Sequence, residues 1–168
     1  TLCSNKLIVI ARNDNYFFGL LHSRIHEVWS LANSSRHGVG NDPTYTPSTC
    51  FETFPFPWAP GAEPVDDPRV KSIAQSAKEL VEQRERWLHP QTSEVSLEDS
   101  QVMKTPKKTS EVSVKRTLTN LYNARPTWLE LAHKRLDAAV FAAYGWKSDL
   151  SDEEILEKLL ALNLERSR

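Results

Sequence analysis

Cysteine is almost missing from this chain. Cys3 and Cys50 are the only two among 168 residues, too few for a disulfide framework, so a reducing cytoplasm is the expected compartment. Glycine is also scarce. The five glycines form neither a GxGxxG turn nor a GKS/T loop, so no backbone cradle for phosphates is predicted. Long apolar runs are absent too: Leu7 to Ala11 is the longest aliphatic stretch, far below the roughly 20 residues that span a bilayer. No membrane association is expected, and no basic-then-apolar signal segment opens the chain. Excess charge of either sign is lacking. Lys and Arg total 21 against 22 Asp and Glu, a net charge of −1. That excludes a polybasic binder acting through the whole chain, while leaving room for a local basic face. The first residue is Thr1, not Met, and the chain is expected to be a piece of a longer protein.

What is present reads as strand, turn and helix at the start. Lys6 to Ala11 is β-branched and apolar, the pattern of a buried strand. Arg12-Asn-Asp-Asn15 has turn chemistry. Phe17, Leu20, Leu21, Ile25, Val28, Trp29 and Ala32 then recur at threes and fours, which predicts one amphipathic helix. Ser34, Ser35, Gly38, Gly40, Asn41, Pro43 and Pro47 break that pattern, so residues 34–50 are expected to be a long exposed loop. From Cys50 to Pro60, aromatics at 51, 54, 56 and 58 alternate with prolines at 55, 57 and 60. Proline cannot donate to a ladder, so the segment should be an extended strap packing its rings on a neighbouring surface. A polyproline ligand is the rival reading.

The second half is helical by pattern. Asp66-Asp-Pro-Arg69 opens a helix whose stripe runs from Val70 to Leu88 and stops at Pro90. Residues 91–115 are polar and read as a flexible linker. A short turn around Leu118, Leu121 and Tyr122 precedes a helix from Pro126 to Gly145. In the last helix Ser151 and Glu154 have the spacing of a capping box, with Leu150 and Ile155 as the hydrophobic staple. Its predicted stripe is Ile155, Leu156, Leu159, Leu160 and Leu162, and the three stripes predict a small helical bundle.

Catalytic patterns are wanting. His22 and His26 stand four apart, a spacing at which two imidazoles on one helix can share a metal. The segment HSRIH nevertheless lacks the glutamate of a metalloprotease, and no close Cys pair exists, so no metal site is expected. Ser23 lacks the flanking glycines of a nucleophile elbow. Recognition chemistry remains. Arg24, Arg36, His37, Asn41, Thr44 and Tyr45 surround the polar segment after the first helix. Arg suits guanine edges, Asn suits adenine, and hydroxyls suit phosphates. These six residues are the candidate nucleic-acid contacts.

Two blocks, FGLLHSRIHEVW (Phe18 to Trp29) and YTPSTCFETFPFP (Tyr45 to Pro57), resemble the end of the target-recognition domain of MmeI-like, type IIL restriction–modification DNA adenine methyltransferases. RTLTNLYNARPTWLELAHKRLDAAVFAAYGW (Arg116 to Trp146) and LSDEEILEKLLALNLER (Leu150 to Arg166) resemble that family's C-terminal helical domain. The resemblance implies residues 1–60 as the end of a target-recognition domain and 61–168 as a C-terminal helical domain. It also implies double-stranded DNA as the partner and an upstream methyltransferase domain in the same polypeptide, which binds S-adenosylmethionine and grips a flipped adenine with an NPPY/F motif. Neither that motif nor the cofactor glycines occurs here, so no catalytic or cofactor-binding residue is assigned to this chain. The expected fold is α+β: a strand–helix remnant, an aromatic–proline strap and a C-terminal helical bundle. The rival functional reading is a helical protein-interaction module with no role in DNA methylation. A free-standing metal-dependent hydrolase ranks below both and rests on the histidine pair alone.

Overall fold

The computed structural model describes residues 9–39, 42–90 and 116–166. The elements in chain order are α1 (Asn15–Leu21), α2 (Arg24–Asn33), β1 (Ser35–His37), β2 (Asp42–Thr44), α3 (Pro68–Leu88), α4 (Leu118–Ala124), α5 (Thr127–Tyr144) and α6 (Asp152–Arg166). The fold is α+β, mostly helical, with one two-stranded antiparallel sheet among the described residues. The predicted linker 91–115 lies outside the described residues, as do residues 6–8 of the predicted first strand. Val9 to Ala11 are irregular, not strand.

The single helix expected from Tyr16 to Ala32 is two helices. Asp14 caps α1 by accepting the Phe17 N–H at 2.8 Å. Ser23 ends one helix and begins the next: its hydroxyl donates to the Leu20 carbonyl at 2.7 Å and accepts the His26 N–H at 3.4 Å. The apolar periodicity runs through this break because both helices bury the side facing the same core.

That core draws side chains from both halves of the chain. Phe17, Leu20, Ile25, Ile73, Leu80, Leu129, Leu136, Phe141, Ile155 and Leu159 belong to one buried cluster. α3 packs on α1 and α5, and α6 packs on α2. Gly19 lets α1 approach closely, since a Cβ there would meet Ile73 Cγ2 at 2.9 Å and Ala77 Cβ at 3.0 Å. Asp67 caps α3, Gly145 ends α5 with φ +70°, and the Ser151–Glu154 capping box closes in both directions at 2.7 and 3.3 Å. Ile155 and Leu159 are buried as predicted, whereas Leu160 is exposed because it lies about 100° around α6 from Leu159, off the core-facing side.

The aromatic strap is buried over its centre. Phe54 and Phe56 lie in the core, their rings edge-on at 4.8 Å, and Phe56 stacks on Phe17 at 5.4 Å. The strap's carbonyls are held from the C-terminal helices. Tyr144 Oη donates to the Pro55 carbonyl at 3.0 Å, Asn163 Nδ2 to that of Thr53 at 2.6 Å, and Arg166 to that of Phe56. Its entry differs from expectation, because Pro47–Phe51 is a π-helical turn.

Candidate nucleic-acid interface

The segment expected to be a loop is a β-hairpin. Ser35 pairs with Thr44, Arg36 with Pro43 and His37 with Asp42. All six strand residues are exposed. Side chains alternate across a ribbon, so Arg36 shares a side with Pro43, and His37 shares the other with Ser35, Asp42 and Thr44. A two-stranded ribbon of this kind fits within the major groove of B-form DNA.

The base of the hairpin is fixed by contacts to α2 and to the π-helical turn. His26, buried on α2, is hydrogen-bonded through Nε2 to Tyr45 Oη at 3.0 Å, and its ring meets Phe54 edge-on at 4.6 Å. Burial is the main reason His26 is pushed down to about 4, with a smaller contribution from His22. Burial likewise pushes Tyr45 up to about 12. Thr49 Oγ1 donates to the Asn33 carbonyl at 2.9 Å, and the buried Cys50 thiol reaches the Ser30 carbonyl at 3.6 Å. An exposed ribbon therefore stands on a buried platform.

The six candidate contacts separate under this geometry. Arg36, His37 and Thr44 are together on the exposed hairpin. Tyr45 turns inward to His26. Arg24 stands apart at the start of α2, where its backbone N–H donates to Asp137 Oδ1 at 2.8 Å and its Nε to Asp152 Oδ1 at 3.0 Å. Asn41 lies outside the described residues. His22 is the C-cap residue following α1 and His26 lies on α2, so the four-residue spacing does not place them as a pair on one helical face. Among the described residues no group of three or more His, Cys, Asp or Glu could hold a metal. No described helix is long and apolar enough to cross a membrane.

Sequence reasoning missed a second polar assembly. Arg84, Tyr122, Arg125 and His133 come from α3, α4 and α5 to line one groove with Tyr45. Arg125-Pro126 marked the corner between α4 and α5, but no local signal joined these residues to the hairpin.

Comparison with known proteins adds three findings. Residues 1–58 match the model of the MmeI target recognition domain. The chain is 30% identical over 164 residues to DNA methyltransferase A of Bacillus subtilis (strain 168), covering 96% of this chain and 15% of that protein. It also superposes on a solved structure of the type IIL restriction–modification enzyme MmeI in complex with DNA, with a TM-score of 0.63 and 21% identity. That match covers 92% of this chain and 16% of the other. The chain thus spans about one-sixth of the length of the proteins it matches.

Proposed function

We propose, from the match of residues 1–58 to the model of the MmeI target recognition domain, that this chain is the DNA-recognition and supporting region of a site-specific DNA adenine-N6 methyltransferase. In this reading residues 1–60 end the recognition domain and residues 61–168 form the helical domain behind it. Methyl transfer and S-adenosylmethionine belong to an upstream domain of the same polypeptide, working on double-stranded DNA in the cytoplasm. The glycines of this chain, at 19, 38, 40, 61 and 145, form no GxGxxG turn: Gly38 and Gly40 have the first spacing, but Pro43 stands where the third glycine would be.

The observation that carries the reading is the exposed β1–β2 hairpin, raised on an anchored base inside the matched residues. Arg36 offers the bidentate donors that suit a guanine edge, while His37 and Thr44 line the ribbon's other side. The helices behind it fix the hairpin's orientation without reading sequence. Relatives named for DNA methylation and for restriction–modification support the assignment.

The test is sequencing-based mapping of methylated adenines in cells expressing variants of the full-length protein. Arg36→Ala or Asn41→Ala should relax specificity at one base pair, a discrimination worth about 1–3 kcal/mol. Lys134→Ala or Arg135→Ala, on α5, should leave the modified site unchanged. Undiminished selectivity in every hairpin variant would remove the reading role from this segment.

A further inference from the structure

The groove that begins at the hairpin base continues past α1 and α3 to the corner between α4 and α5. Tyr45, Arg84, Tyr122, Arg125 and His133 line it. Arg84 Nη1 donates to Tyr122 Oη at 3.3 Å, and that hydroxyl is hydrogen-bonded to His133 Nε2 at 3.0 Å. The Arg84 guanidinium lies 5.5 Å from the Phe18 ring centre, and its Nε is buried with no hydrogen-bond partner among the described residues. Arg125 ends α4 in a left-handed conformation, φ 41° and ψ 60°, with its side chain exposed. Neither Arg84 nor Arg125 is in an ion pair among the described residues.

The acidic neighbours are largely occupied. Asp137 accepts the Arg24 N–H at 2.8 Å, Asp152 pairs with the Arg24 guanidinium, and Glu130 pairs with Lys134 at 2.7 Å. Glu27 stands at the α2 rim. Desolvation lowers the pKa of His133, and Arg84 and Arg125 push it in the same direction. His22, stacked on Phe18 at 3.8 Å, is lowered by desolvation and then by Arg84 and His133. With both imidazoles held toward the neutral form, the positive charge of the groove comes from guanidiniums outside any described carboxylate pair, in a lining that also includes Glu27 and Asp137. An anion seated there gains charge-assisted hydrogen bonds.

We propose that this groove is a phosphate-binding site for the DNA backbone, in which Arg84 and Arg125 supply the charge and Tyr122 and His133 the hydrogen-bonding groups. The inference rests on the reading of the hairpin as a DNA reader and adds a second, sequence-independent grip. Continuity favours a duplex backbone over a free anion: one open groove joins Tyr45 at the hairpin base to Arg125, so a strand leaving the hairpin has a cationic path along the helices. The αL corner before Pro126 turns α5 back and sets Arg125 at the far end of that path.

The experiment is equilibrium binding of the full-length protein to a duplex bearing its methylation site and to an unrelated duplex, over a range of salt. Arg84→Gln and Arg125→Ala should each weaken both complexes roughly tenfold. Each should also make the salt dependence shallower by about one ion and leave the methylated site unchanged. Arg125→Lys should retain the parental salt slope, which separates lost charge from lost folding. Unchanged affinity and slope in the two charge-removing variants would overturn the proposal. Inorganic phosphate should compete with the parent protein's duplex binding and compete less with the variants. Phosphate binding in the parent, with duplex affinity intact in both variants, would make the groove a free-anion site and also overturn it. Hairpin variants that change the methylated site, alongside silent groove variants, would sink this inference alone. A reduced slope in the groove variants, with full selectivity in every hairpin variant, would sink the reader assignment alone.

Discussion

His26 and Tyr45, 19 residues apart, meet at 3.0 Å in a hydrogen bond that joins the buried face of α2 to the foot of the exposed hairpin. The other imidazole nitrogen, Nδ1, is buried and has no hydrogen-bond partner among the described residues. The Tyr45 contact therefore satisfies only Nε2 of this ring, and it fixes the direction in which the chain returns from β2 to the core.

Removing the Tyr45 hydroxyl should be costly out of proportion to its size. Tyr45→Phe leaves both nitrogens of a buried histidine unpartnered, and an orphaned buried polar group costs about 1–3 kcal/mol. The urea midpoint of the variant should fall by the matching amount. A midpoint equal to the parent's would show that water satisfies His26 instead.

The same histidine sets a pH dependence. Its folded pKa, about 4, lies below the ordinary value of 6.5, so between these values the unfolded chain binds more protons than the folded one. Stability should be full above pH 6.5 and decline as pH falls toward 4, by on the order of 2–3 kcal/mol from this group. His22 and His133, also lowered by desolvation, act in the same sense. Denaturant titrations at stepped pH should show the decline, and His26→Gln should reduce it. An equal decline in that variant would assign the effect to other groups.

Local chemistry made three of the helices legible. Asp67 with Pro68, Gly145 after Tyr144, and Ser151 with Glu154 are start and stop signals whose partners lie within one helical turn. Ser23 escaped notice because its capping role sits inside an unbroken apolar periodicity. The hairpin escaped for another reason: exposed on both sides, it has no apolar alternation to betray it. Arg84, Tyr122 and His133 meet only through packing of three helices, which no short window of sequence can express.

Ser151→Ala should destabilise the chain by about 0.5–2 kcal/mol, the usual cost of an N-cap oxygen. Its hydroxyl accepts the Glu154 N–H, and Glu154 reaches back to the Ser151 N–H. Glu154→Ala should cost less, because the hydroxyl cap survives. Thermal melts of the two variants should rank in that order, and the reverse ranking would refute the assignment.

Gly19→Ala should destabilise, although alanine is the better helix former by roughly 1 kcal/mol. The new methyl would crowd Ala77 Cβ at 3.0 Å and Leu136 Cδ1 at 3.1 Å. Ala77 has no rotamer with which to yield, so α1 must shift away from α3. Overpacking of this kind costs about 1–3 kcal/mol, and the net loss should appear as a lower midpoint in urea. A variant more stable than the parent would mean that the helices separate freely.

The bond from Thr49 Oγ1 to the Asn33 carbonyl, 2.9 Å long, staples the two ends of the excursion that contains the hairpin. With both ends held, the chain between them is a closed loop whose entropy rises only with the logarithm of its length, about 0.6 kcal/mol for each doubling. Because none of the hairpin's strand residues is buried, residues can be exchanged, added or removed there while the core keeps its packing. Residues 35–44, short of the Tyr45 anchor, are thus a cassette in which lineages can diverge in length as well as in identity at little thermodynamic cost.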